Sequence, residues 1–180
     1  MKIGICGAHS VGKTTLLNAL RSEEFFKDYT IADEVTRKLK KRGMNINEAG
    51  DDLTQIAVMD SHIVNAFLYN NMLTDRTAVD GYVYTAWLWS EKKVSDETLE
   101  YANTVMHRLI PQYDIIYYIK PEFDIADDGV RSTDQKFRDD IAGLFEVTIQ
   151  NNNIPVQTLT GSVRNRVEQA IAYALGYQLD

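Results

Sequence analysis

The chain has 180 residues, 44% of them hydrophobic, with a formal net charge of -7 and a pI near 5.0. That length accommodates one domain with a buried core, and the composition excludes a disordered or low-complexity chain. The acidic balance disfavours a broad nucleic-acid face or an anionic membrane surface, so small anionic substrates held by a local cluster of cations are the simpler expectation.

Residues Met1 to Cys6 supply one short apolar strand through Ile3, Ile5 and Cys6. Gly7 to Thr15, GAHSVGKTT, follow at once and match G-x-x-x-x-G-K-[ST] at Gly7, Gly12, Lys13 and Thr14. The two glycines permit backbone angles closed to other residues, so the loop can turn its N–H groups onto a phosphate. Lys13 reaches β- and γ-phosphates, Thr14 offers a hydroxyl to Mg²⁺, and the helix that starts here points its positive end at the anion. Gly7, Ser10, Val11, Gly12, Lys13, Thr14 and Thr15 are the nucleotide-binding candidates. Cys6 is the only cysteine, which rules out an intramolecular disulfide and reads as a small buried apolar residue. The N-terminus lacks a signal peptide's layout and no apolar run approaches the ~20 residues of a membrane span, so a cytoplasmic protein is expected.

Tyr29 to Ala32 reads as a short strand ending at Asp33-Glu34, and Val35 to Lys41 as a helix. Leu53, Ile56, Ala57, Asp60, Ile63, Val64, Phe67 and Leu68 follow a helical period with one polar interruption. Met72 to Thr74 forms a strand ending at Asp75-Arg76, followed by a helix with Tyr82, Tyr84, Trp87 and Trp89 expected to pack on the sheet. Ser95-Asp96-Glu97 opens another helix running to Ile110, and Tyr113 to Ile119 is the clearest strand. A polar loop to Asp134 leads into a helix from Gln135 to Gln150. The last strand is Ile154 to Leu159 and the last helix Ser162 to Leu175. Strands alternating with helices predict a single α/β domain around a parallel sheet, with ligands beyond the strands' carboxyl ends.

The charged residues at those ends carry the chemistry. Asp33-Glu34 can supply a base for an attacking hydroxyl, with Glu34 favoured for reach, or help orient Mg²⁺, for which Thr14 and Asp33 are the candidates. Asp75 and Arg76, with Arg37 upstream, are the substrate-binding candidates, and Arg76 can also reach the phosphoryl group in transfer. The segment of about 121–138 reads as a lid whose Arg131 and Arg138 add charge over the triphosphate. His9 occupies a variable position of the loop and is assigned no catalysis. His62 and His107 sit in helices without ligand-spaced partners, so no zinc site is expected.

Taken in order, GAHSVGKT, ADEVTRKL, TDRTAVDGYVY, YDIIYYIKPEFDIADDGVRSTDQKFRDDI and LTGSVRNRVEQAI resemble the P-loop kinases of nucleosides and nucleotides. The nearest branch is that of the nicotinamide riboside kinase domain. The resemblance implies a P-loop three-layer sandwich with a parallel, roughly five-stranded sheet and a short lid. It implies ATP and Mg²⁺ as cofactors and a nucleoside or nucleotide acceptor. By the same resemblance Glu34 or Asp33 acts as the base, Asp75-Arg76-Thr77 stands for an acidic-Arg-Ser motif, Arg131 and Arg138 for lid arginines, and Thr160-Gly161-Ser162 for an adenine-binding turn.

The expected activity is transfer of the γ-phosphoryl group of ATP to a hydroxyl or phosphate of that acceptor, with Lys13, Glu34, Asp33, Arg76 and Arg131 as the catalytic set. The alternatives are a kinase acting on a hydroxyl of modified nucleic acid and a regulatory GTPase or ATPase. The GTPase lacks support, because no N/T-K-x-D is present and the one D-x-x-G, Asp140 to Gly143, falls within a helix. No membrane partner is expected, and a homodimer is compatible with the sequence.

Overall fold

The computed structural model describes residues 1–32, 35–122 and 134–179. The strands are β1 (Lys2–Cys6), β2 (Thr30–Ala32), β3 (Met72–Asp75), β4 (Ile115–Ile119) and β5 (Gln157–Leu159). The helices are α1 (Lys13–Leu20), α2 (Val35–Lys41), α3 (Asp52–Leu68), α4 (Ala78–Ser90), α5 (Asp96–Leu109), α6 (Gln135–Asn151) and α7 (Val163–Leu179). All strand pairs are parallel, in the order β2-β3-β1-β4-β5. The three inner strands are covered on both faces and buried along nearly their whole length. Their register sets Ile5 opposite both Asp75 and Tyr117, so the loop leaving β1 emerges beside the ends of β3 and β4.

Local chemistry starts the helices where the sequence predicts. The Thr77 hydroxyl accepts from the Val79 N–H at 3.2 Å while Asp80 accepts from the Thr77 N–H at 2.9 Å, a reciprocal cap on α4. Ser95 accepts from the Thr98 N–H and Asp134 from the Phe137 N–H, capping α5 and α6. β5 starts later than the expected Ile154, because the Ile154 N–H closes the end of α6 on the Ile149 carbonyl and Pro155 has no N–H to give.

The third helix forms as its period predicts, with its apolar stripe turned outward. Leu53, Phe67 and Leu68 are 68%, 68% and 66% exposed, while Thr54, Gln55, Val58, Met59, His62 and Ala66 face inward. Two contacts with α4 set that rotation. Gly81 leaves room for Met59, whose sulfur would lie 2.3 Å from any Cβ placed there, and the Thr85 hydroxyl lies 3.1 Å from the side-chain oxygen Oε1 of Gln55. Trp89 also departs from the expected packing. It is 44% exposed, with its indole N–H on Asp96. Among the described residues, no helix is long and apolar enough to cross a membrane.

Candidate active site

Gly7 to Thr14 bridge β1 and α1 as a tight loop with positive φ at Gly7 (141°), Ser10 (60°) and Gly12 (92°). At Gly7 a Cβ would stand 2.4 Å from the Ile119 carbonyl oxygen, so only glycine lets the loop pass the end of β4. Gly12 caps α1 with its backbone alone, leaving the helix's first N–H groups to the loop. Lys13 is buried and donates to the carbonyls of Gly7 and Ala8 at 2.6 Å each, which places its ammonium within the loop. Val11 is buried beneath the loop, Ser10 half-buried, and Thr15 faces solvent on α1.

The neighbouring strand brings the acids and the arginine. The Thr14 hydroxyl donates to Asp75 Oδ2 at 2.5 Å, and Asp75 Oδ1 is buried without a hydrogen-bond partner among the described residues. Asp75 and Arg76 take different partners. Arg76 takes a positive φ of 80°, gives its N–H to the Ile5 carbonyl at 3.0 Å, and turns its guanidinium to Asp80 at 3.6 Å and over the Tyr84 ring at 4.9 Å. Burial pushes the Asp80 carboxyl up to about 6, against the opposing pull of Lys13 and Arg76.

Reading the sequence did not single out Asp80, and it took Tyr84 only as a packing residue. The T-x-x-D spacing from Thr77 signals a cap, and only the fold shows that this cap also holds an arginine. The Tyr84 hydroxyl shares a hydrogen bond of 3.0 Å with His9 Nδ1, whose ring stacks on Phe137 at 4.9 Å. His9 is therefore packed between α4 and α6. Burial and the nearby Arg76 hold His62 neutral down to about 4. Among the described residues no cluster of His, Cys, Asp and Glu suits a metal ion by itself.

Beside Arg76 lies a cavity of about 30 Å³ lined by Thr36, Asn47, Gln55, Asp80 and Tyr84 among others. That is room for a single water, so a larger occupant would require α2 and the turn at Asn47 to draw apart from α3 and α4. The α2 helix contributes Thr36 to this lining rather than the expected Arg37. Arg138 is buried near the start of α6, whereas Lys136 is exposed and paired with Asp140. Asp33, Glu34 and Arg131 lie outside the described residues. A buried arginine that the sequence reading passed over, Arg166 on α7, donates to the Val11 carbonyl at 2.9 Å.

A family model described as an AAA domain matches residues 2–166. The chain belongs to that family. Among solved structures, NadR in complex with NR superposes with a TM-score of 0.70 at 20% identity, over 97% of this chain and 50% of that one. Deoxyadenosine kinase from M. mycoides, with products dCMP and dCDP bound, gives 0.69 at 15% identity over 98% and 99%. NadR with NAD and AMP-PNP gives 0.68 at 16% over 97% and 48%. The chain thus spans about half the length of the NadR chains and nearly all of the deoxyadenosine kinase. The likeness is one of fold, a parallel five-stranded sheet flanked by helices. No curated protein sequence matches the chain significantly.

Proposed function

We propose that the protein is an ATP- and Mg²⁺-dependent kinase that transfers the γ-phosphoryl group to a hydroxyl or phosphate of a nucleoside or nucleotide. The observation that carries this reading is a cavity lined by Arg76 and Asp80 next to a phosphate loop whose Thr14 already contacts Asp75. A phosphate-binding loop alone suits any nucleotide hydrolase. A cleft beside that loop, lined by Arg76, Asp80 and Tyr84, offers a place for a small acceptor once α2 and the turn at Asn47 draw apart. The name of one structural neighbour, deoxyadenosine kinase, agrees with it.

In this reading the loop N–H groups and Lys13 bind the donor phosphates, and the hydroxyl of Thr14 with the carboxylate of Asp75 forms a hard oxygen donor pair that fits Mg²⁺. Bound there, Mg²⁺ would neutralise charge on the phosphates. Arg76, held between Asp80 and Tyr84, orients the acceptor or the transferring group. Glu34, or Asp33 beside it, takes the proton from the attacking hydroxyl, and Arg131 and Arg138 add positive charge over the triphosphate.

The test is a panel of nucleosides, nucleotides and oligonucleotides incubated with labelled ATP and Mg²⁺, using the wild type and Lys13→Ala. A labelled small acceptor is expected with the wild type, and a loss of about 10³-fold or more with the folded variant. Label found only on oligonucleotides, or only as free phosphate, would replace the proposal by a nucleic-acid kinase or an ATPase.

A further inference from the structure

A loop that turns its N–H groups inward onto a phosphate must turn some of its carbonyls outward, and those carbonyls need donors behind the loop. Behind this loop the donor is Arg166. The residue is 2% exposed, Nη1 donates to the Val11 carbonyl at 2.9 Å, and Nη2 lies 3.2 Å from Glu122 Oε2. The same Glu122 oxygen accepts the Gly161 N–H at 2.9 Å. One ion pair therefore joins the phosphate loop, the segment following β4 and the turn following β5. Gly12 is part of the fit, since a Cβ there would stand 3.3 Å from Arg166 Nη1.

The surroundings make this a costly arrangement to keep for packing alone. The neighbouring buried positions of α7 are Val167, Ala170 and Ala174, so an apolar side chain at 166 would continue an apolar face and avoid desolvating a charge. What an apolar residue cannot do is serve a carbonyl and a carboxylate at once, which the planar fork of a guanidinium does. The opposite end of the brace is equally committed. Gln169 receives the Thr160 N–H at 3.2 Å and donates to the Thr160 carbonyl at 3.0 Å, which holds the turn that Glu122 grips through Gly161.

We propose that Arg166 and Glu122 are positioning residues that hold the phosphate loop in its donor-binding shape by tying the Val11 carbonyl to the turn at Gly161. This rests on the reading of the loop as the donor site. Loop N–H groups contact the phosphates before and during transfer, so distorting the loop weakens donor binding more than it slows the chemical step.

Titration calorimetry with ATP and with inorganic tripolyphosphate, without acceptor, tests it on the wild type, Arg166→Met, Glu122→Gln and the double variant, alongside melting curves and steady-state kinetics. Arg166→Met is expected to weaken both ligands about 10- to 100-fold, raise the donor KM similarly, and leave the acceptor KM within about twofold. The double variant, free of the buried charge that Glu122→Gln leaves unpaired, is expected to regain the melting temperature lost in that variant but not the affinity. Arg166→Lys should restore part of the binding. If Arg166→Met does not fold, Glu122→Gln carries the same expectation at about threefold. Unchanged affinity in the folded single variants, or affinity that returns with stability in the double variant, overturns the proposal. Failure of the wild type to bind either ligand overturns the donor-site reading itself.

Discussion

The Thr14 hydroxyl reaches the Asp75 carboxylate across 2.5 Å, joining the first turn of α1 to the end of β3. The parallel register that sets Ile5 beside Asp75 makes this contact possible, since one strand delivers the phosphate loop and its neighbour the acid. With Asp75 Oδ1 buried and lacking a partner among the described residues, the pair has donor capacity left for a cation. Asp75→Asn is therefore expected to lower kcat about 10²-fold or more and to raise the Mg²⁺ concentration needed for half-maximal rate. An unchanged Mg²⁺ titration in that variant would remove Asp75 from the metal site.

Asp80 should make stability depend on pH in an unusual direction for a carboxylate. Burial raises its folded value to about 6 from the ordinary 3.8, so the folded chain binds this proton more tightly than the unfolded chain. The stabilisation is then fully present below the ordinary value and is lost as pH rises through about 6. Asp80→Asn cannot ionise, so the stability of the variant relative to wild type should rise between pH 4 and 6.5, by on the order of 2–3 kcal/mol. Denaturant titrations across that range measure it. A constant difference would show that Asp80 ionises at an ordinary pH.

The proton acceptor is proposed to be Glu34. Glu34→Gln preserves size and most hydrogen bonding while removing basicity, and should cost about 10²-fold in kcat, with Asp33→Asn milder. If both amides keep near-normal kcat over the pH range, neither is the base, and Asp75 becomes the candidate to test.

The outward stripe of α3 gives a sharp stability contrast. Phe67→Ser removes an aromatic side chain that is 68% exposed and should change stability by about 0.5 kcal/mol or less. Met59→Ala empties a fully buried position against Gly81 and should cost about 2–5 kcal/mol. Chemical denaturation of the two variants checks this, and comparable losses would mean that α3 is rotated from the orientation described.

The sequence by itself determined the elements and the donor half of the site. Alternating apolar strands and capped helices announce a parallel α/β sheet, because periodicity and caps are local properties. GAHSVGKT announces the phosphate loop, because the residues of its motif all lie within eight positions. Tertiary structure alone decided the rest, where partners are distant in sequence. The period of α3 was legible and its orientation was not, since the rotation depends on Gly81 and Thr85 of another helix. Asp75 and Arg76 are neighbours in the chain yet serve Thr14 and Asp80, because the positive φ at Arg76 turns the backbone away from its strand path. Arg166 reads as one more cation on a mixed helix. It becomes a loop-supporting residue only when the parallel sheet brings α7 behind Val11, 155 positions earlier in the chain.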